Sequence, residues 1–232
     1  MRFRLPESSA GGWRRFAGEV GIIVVGVGIA LAAEQVVDDW HWRSVVREQS
    51  RALDEEVREI WDAMSARVAQ QPCIDRRLAE LAILFERRDD GRPLGITAPI
   101  GRPRVWTAGR SALAIATADG AIAHMPLERK QAYFAAYGSY ETFEPSANEE
   151  RASWRSLQAL NRAATLSDEE WRTLRHAYDA AVDSNITMKF NLVVGRNGQW
   201  LTPFAKFPRW PINRAAVDLP SVRELCEPFL SA

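Results

Sequence analysis

A chain of 232 residues with 47% hydrophobic and 26% charged side chains has the ordinary composition of one globular domain plus an appendage, and a second large domain is not expected. Thirty basic residues balance thirty acidic ones, so bulk charge gives no reason to expect a nucleic-acid partner, which leaves a basic footprint. The bases are nearly all arginine, with lysine only at Lys130, Lys189 and Lys206, a bias that carries no functional reading by itself.

From Val20 to Ala33 the chain carries no charge, and with Glu34 accepted at the boundary the apolar run extends to Val37. Those 18 residues make about 27 Å of helix at ~1.5 Å each, against a hydrocarbon core of ~30 Å, so they fit one membrane span. Arg2, Arg4, Arg14 and Arg15 precede the run, with a carboxylate at Glu7, while Glu34, Asp38 and Asp39 follow it, balanced by Arg43 and Arg47. The positive-inside bias then makes residues 1–19 a cytoplasmic tail, 20–37 a transmembrane helix and 38–232 an extracytoplasmic helical domain. Trp13 on one side, with Trp40 and Trp42 on the other, suits interfacial aromatic belts. The lipid bilayer is thus the first expected partner.

Two other readings fit part of this pattern. A cleavable signal peptide would use the basic leader and the Ala30-Leu31-Ala32 triplet, but the leader is long, contains Glu19, and the apolar pattern runs on through Val36, Val37 and Trp40. A buried soluble helix is the third reading. Glu19 and Glu34 are about 22 Å apart along a helix, too far to act as one acid/base pair, and suit the span's edges as snorkelling or interhelical groups. Gly21 and Gly28 lie seven residues apart, while Gly26 with Ala30 and Gly28 with Ala32 have small-xxx-small spacing. That smooth side predicts a helix interface for self-association or a protein partner.

The stretch Glu19-Val20-Gly21-Ile22-Ile23-Val24-Val25-Gly26-Val27-Gly28-Ile29-Ala30-Leu31, followed by Glu34, Gln35 and Trp40, resembles the anchor of a family of small bacterial single-pass membrane proteins of unknown function. The likeness covers the anchor region alone. It implies an uncleaved span in a bacterial inner membrane and implies no activity.

Beyond the span, Val46, Leu53, Val57, Ile60, Met64 and Val68 keep helical spacing to about Gln70. Pro72 is expected to start a second helix with Ile74, Leu78, Leu81 and Phe85 as its stripe, ending before Asp90-Gly91 and Pro93. A Gly- and Pro-rich loop follows to about Arg104, then an alanine-rich short helix over 107–118 that Gly120 can terminate. Pro126 suits the first turn of a helix carrying Tyr133, Phe134, Tyr137, Tyr140 and Phe143, which Glu144-Pro145 should stop. Ser146 and Glu149 have capping-box spacing for a further helix presenting Trp154, Leu157 and Leu160.

The clearest local signal is Ser167 with Glu170, a capping box, with Leu166 placed to staple against Trp171. The helix it opens should bury Trp171, Leu174, Tyr178, Ala181, Asn185, Met188 and Leu192 along one seam and end at Gly195 or Gly198. Past Trp200, Pro203, Pro208 and Pro211 predict an irregular strap, then a short helix near 220–227. The fold class is therefore all-α: a membrane helix continuing into a helical bundle crossed by a Pro-rich strap.

Cys73 and Cys226 are the two cysteines, and in an oxidising compartment an even pair without metal-ligand spacing predicts a disulfide. His41, His124 and His176 have no second ligand at i+3 or i+4, so no metal site and no cofactor is expected. Gly109-Arg110-Ser111-Ala112-Leu113 lacks the closing glycine of a nucleophile elbow, and no phosphate or dinucleotide loop is present. The aromatic run Tyr133, Phe134, Tyr137 and Tyr140 is the candidate small-molecule pocket, with helix-face core packing as the alternative. The expected function is binding, as scaffold or accessory subunit of an envelope complex; an extracytoplasmic sensor or ligand-binding module is the second class and an enzyme the third.

Overall fold

The computed structural model describes residues 10–194 and 203–231 and is all-α. Among the described residues six α-helices run in order: α1 (Ala10–Asp89), α2 (Ser111–Ala118), α3 (Ala121–His124), α4 (Leu127–Leu157), α5 (Asp168–Met188) and α6 (Pro220–Cys226). Turns of 3-10 helix follow α4 and precede α6, and a π-helical turn, Lys189–Val194, extends α5. Among the described residues the nearest approach to a sheet is one antiparallel bridge between Ile96 and Leu230.

The chain divides into two compact units, Met1–Glu48 and Gln49–Ala232. In the first, one helix long and apolar enough to cross a membrane lies near the N-terminus, and its apolar run is exposed on every side. Arg43 pairs with Asp39 one turn before it.

In the second unit, α1 buries Leu53, Val57, Ile60 and Met64, then Ile74, Leu78, Leu81 and Phe85, as the spacing predicts. These last residues share a core with Trp154 and Leu157 of α4, Trp171, Leu174 and Ala181 of α5, and Leu225 and Phe229 at the C-terminus. Between the two apolar stretches the buried positions include the polar Arg67, Gln70 and Gln71 but not the expected Val68, which is only half-buried.

Two expected breaks do not occur. Pro72 lies inside α1 and Pro145 inside α4, so each pair of predicted helices is one helix. A proline removes one N–H and frees the carbonyl four residues earlier, a loss water can absorb on a solvent face. Both prolines are exposed, while the faces on either side of them are buried and hold the helix direction. Ser146 therefore caps nothing.

The start of α5 follows the sequence closely, with Ser167 and Glu170 forming the reciprocal capping box and Trp171 buried behind it. Its seam, Leu174, Ala181, Asn185 and Met188, is buried as predicted, with Tyr178 half-buried. The residues expected to end it, Gly195 and Gly198, lie outside those described, as does Trp200. Gly120 adopts a positive φ of 76° after α2, and Pro126 precedes α4 as its N-cap. α2 begins at Ser111, four residues later than expected, because the backbone before it is bound elsewhere: Ala108 N–H donates to the Tyr140 hydroxyl at 2.7 Å and Gly109 N–H to Glu59 at 3.4 Å.

The Pro-rich strap crosses α1 as an irregular segment. Trp61 Nε1 donates to the Pro211 carbonyl at 2.9 Å and the Ser65 hydroxyl accepts from Asn213 N–H at 3.2 Å. The predicted disulfide Cys73–Cys226 then ties α6 to α1. Four residues along from Cys73, fully buried Arg77 donates through Nη2 to the carbonyls of Glu224 and Glu227 at 2.8 and 2.6 Å, satisfying the end of α6. Burial pulls its pKa down to about 10.

The centre of the unit is polar. Arg67 and Glu150, both at 0% exposure, form a bidentate pair, Nε to Oε2 at 2.8 Å and Nη2 to Oε1 at 2.7 Å. Arg67 also donates to Gln71 at 2.8 Å and to Asn185 of α5 at 3.1 Å. One guanidinium thus links α1, α4 and α5. Removing one partner of such a pair leaves an uncompensated buried charge. Arg67→Ala should lower stability by about 3–5 kcal/mol in urea unfolding of the detergent-solubilised chain, whereas Arg67→Met with Glu150→Leu should lose far less. A loss below about 1 kcal/mol in the single variant, the scale of a surface pair, would overturn this assignment.

Candidate functional site

The aromatic residues singled out on α4 do not stay together. Tyr133, Tyr137 and Tyr140 share one helix face and are buried, whereas Phe134 points away at 52% exposure. The Tyr133 hydroxyl donates to Asp54 at 2.8 Å and accepts from Arg129 Nε at 3.0 Å; burial, then the Asp54 bond, pushes its pKa up to about 12. Tyr137 donates to Glu56 Oε2 at 2.6 Å, and burial followed by that carboxylate raises its pKa far above the ordinary value. Burial also raises Tyr140, whose hydroxyl accepts the Ala108 N–H. With their hydroxyls committed to α1 and to the loop before α2, these tyrosines pack as core, and none of the four residues lines the clefts described below.

The carboxylates they meet are occupied as well. Glu56 accepts from Ser111 N–H, Ser111 Oγ and Ala112 N–H, each at 2.9 Å, so it caps α2, which has no capping side chain of its own. Asp54 takes the Arg129 guanidinium on both oxygens, at 2.6 and 2.5 Å. Asp75 receives Gln71 and Asn185 at 2.9 Å and Lys189 at 3.1 Å, carrying the Arg67 network to the surface. Among the described residues no group of three or more His, Cys, Asp or Glu is placed to hold a metal ion. Of the residues in the candidate membrane helix, Gly21, Gly26 and Gly28 have open space around them: a Cβ added at any of the three would meet no atom within 4 Å.

A separate opening lies elsewhere among the described residues. The segment after Ile100 runs along α4 and leaves a cleft of about 490 Å³, lined from the loop by Arg102, Arg104 and Trp106 and from α4 by Arg151, Trp154 and Arg155. The loop has no regular secondary structure, so its backbone groups must find partners outside a helix or sheet ladder. Gln70, fully buried on α1, donates to the Arg104 carbonyl and accepts the Arg104 N–H, both at 2.8 Å, pairing with it as a neighbouring strand would. Gln158 donates to the Gly101 carbonyl at 2.7 Å, and Arg102 N–H donates to Ser221 at 3.1 Å. Gly101 has φ 64° and touches α6 so closely that a side chain would collide with the Leu225 nitrogen. A second, aromatic cleft of about 390 Å³ lies under the strap among Trp61, Phe204, Phe207 and Trp210.

Sequence reasoning missed the arginine cleft. Its signals are present as Arg102-Pro103-Arg104-Val105-Trp106 and as Arg151, Trp154 and Arg155 at helix-face spacing, but nothing in the chain order joins the two. The protein is defined so far as an all-α chain with one candidate membrane helix near the N-terminus and a disulfide-bonded helical unit. No protein-family model matches it, and no curated protein or solved structure does either.

Burial works against the Asp75 carboxylate, but the hydrogen bonds from Asn185, Lys189 and Gln71 outweigh it and hold its pKa below the ordinary 3.8. A carboxylate held low in the folded state contributes stability that is complete above its ordinary pKa and lost as pH falls through the folded value. Urea midpoints should therefore decline below about pH 4, and Asp75→Asn should flatten that acid limb while leaving neutral pH less affected. An acid limb of equal steepness in both proteins would exclude Asp75 as a contributor.

Proposed function

We propose that the protein is anchored in a bacterial inner membrane with its N-terminus cytoplasmic and its disulfide-bonded unit periplasmic. There it acts by binding, as a scaffold or accessory subunit of an envelope complex. The observation that carries this reading is the run from Val20 to Val37, exposed on every side of α1; an apolar surface so continuous calls for lipid around it. The arginines ahead of the run favour the orientation, and the Cys73–Cys226 bond favours an oxidising compartment for the second unit. Small residues lie on two faces of the span, Gly21, Gly28 and Ala32 on one and Gly26 with Ala30 on the other, and the open space at the glycines lets a second helix approach closely, which supports a protein partner or a second copy within the bilayer. A ligand-binding module is the second reading, favoured by the arginine cleft.

A reporter enzyme active only outside the cytoplasm, fused after Ala232, should be active, and the mature protein should keep its full mass. Activity of a cytoplasm-only reporter would reverse the orientation. Loss of about 30 N-terminal residues would replace the anchor with a cleaved signal. Gly28→Leu should leave insertion intact, since it adds apolar surface, but should reduce crosslinked oligomer or co-purifying partner by blocking close approach. Unchanged crosslinking and co-purification would remove the span from the interface.

A further inference from the structure

We propose that the cleft between the 101–107 loop and α4 is a binding site for a multiply charged phosphate-type oxyanion, such as pyrophosphate or a phosphorylated headgroup. The site lies wholly within the second unit and does not depend on how the first is disposed.

The first argument is charge. Arg102 and Arg104 enter from the loop, and Arg151 and Arg155 stand one turn apart on α4, facing the same cleft. None of these four guanidiniums forms an ion pair with a carboxylate among the described residues, although the chain has as many acidic as basic side chains. Arg151 spends part of its capacity on Asn148 and on the Val105 carbonyl, which fixes its position without neutralising it. Guanidiniums carry donors only and cannot satisfy one another, so four in one concavity repel until an anion joins them. Their planar forks match phosphate oxygens in pairs.

The second argument is independent. Trp154 is 1% exposed, lines the same cleft, and its Nε1–H is buried with no acceptor. The other buried side-chain atoms without a hydrogen bond are Arg77 Nε and Glu80 Oε2, and these lie 3.1 Å apart as an ion pair. Trp154 is thus the one such donor left with nothing opposite it among the described residues. A buried N–H without an acceptor is costly, and native proteins rarely tolerate one. An oxyanion seated among the four arginines lies beside the Trp154 ring, and a small shift of the indole on binding would give its N–H the missing acceptor.

The third argument is rigidity and size. The Gln70 clamp on Arg104, the Gln158 bond to Gly101 and the Arg151 bond to Val105 hold the loop backbone in place before any ligand arrives, which lowers the ordering cost of binding. At about 490 Å³ the cleft exceeds a single phosphate and suits a pyrophosphate or a phosphate carrying an organic group beside Trp106.

The test titrates the full chain in neutral detergent with sodium pyrophosphate, inorganic phosphate and citrate, read by calorimetry and by the indole ¹H–¹⁵N signal of Trp154. That signal is assigned by its disappearance in Trp154→Phe. Pyrophosphate should bind saturably, tighter than phosphate or citrate, and should move the Trp154 signal. Arg104→Ala and Arg155→Ala, whose side chains are exposed, should each weaken binding by at least about tenfold with unchanged thermal unfolding. For the source, the chain is reconstituted in phosphatidylcholine vesicles with or without phosphatidic acid. Displacement of pyrophosphate by phosphatidic acid assigns the site to lipid headgroups, and its absence assigns it to soluble phosphate esters. Absence of saturable binding, a stationary Trp154 signal, or unchanged affinity in both arginine variants would overturn the proposal; tighter binding of citrate would overturn its phosphate assignment.

Discussion

The architecture of the second unit depends on the pair between Arg67 and Glu150, two charges that have left water entirely. Such a pair survives only where its remaining donors and acceptors are also met. Gln71 and Asn185 meet them, and both hand on their own amide hydrogens to Asp75, so the polar chain ends at half-exposed groups. This requirement fixes more than a contact. Glu150 must face α1, and in one continuous α4 that orientation turns Trp154, four residues on, toward the core and places Arg151 and Arg155 beside it. The register of the arginine cleft therefore follows from the buried pair one turn earlier.

α1 plays a second part, as the partner of elements too short to stand alone. An eight-residue helix is marginal by itself, and an irregular loop has no ladder to satisfy its backbone. Along one face of α1, Glu56 caps α2, Gln70 pairs with Arg104, and Arg77 donates to the last carbonyls around α6. Trp61 and Ser65 hold the strap between them. Polar residues at buried helix positions thus replace the secondary-structure partners these segments lack. The Cys73–Cys226 bond adds a covalent tie at the same place, closing a separation of 153 residues. On the chain-entropy model a loop of that length corresponds to about 5 kcal/mol of stabilisation.

What could be read from the chain was what local chemistry decides. The Ser167–Glu170 box, the seam from Trp171 to Met188, the positive φ at Gly120 and Pro126 ahead of α4 all rest on neighbours within a turn or two. The cysteine pair was legible for another reason: two thiols leave only one intramolecular pairing. Pro72 and Pro145 misled because a breaker acts on one carbonyl, while burial on the opposite face acts along the whole helix. The seam of α1 misled at Val68 because a buried arginine breaks apolar periodicity unless its distant partner is known. Tyr133, Tyr137 and Tyr140 were recognisable as one helix face, but not as the partners of Asp54, Glu56 and Ala108.

The arginine cleft was illegible for the same reason, compounded by neutrality. A net charge of zero describes a sum and says nothing of how the charges are distributed. In this chain many carboxylates of the second unit are drawn into caps and buried pairs, as Glu56, Asp54, Asp75 and Glu150 show. Each one committed to folding is unavailable to neutralise an arginine elsewhere. Arg102, Arg104, Arg151 and Arg155 are thus left facing a common space, not through an excess of basic residues but through the prior use of acidic ones. An indole N–H without an acceptor at the same place turns that imbalance from a property of the surface into a property of a site.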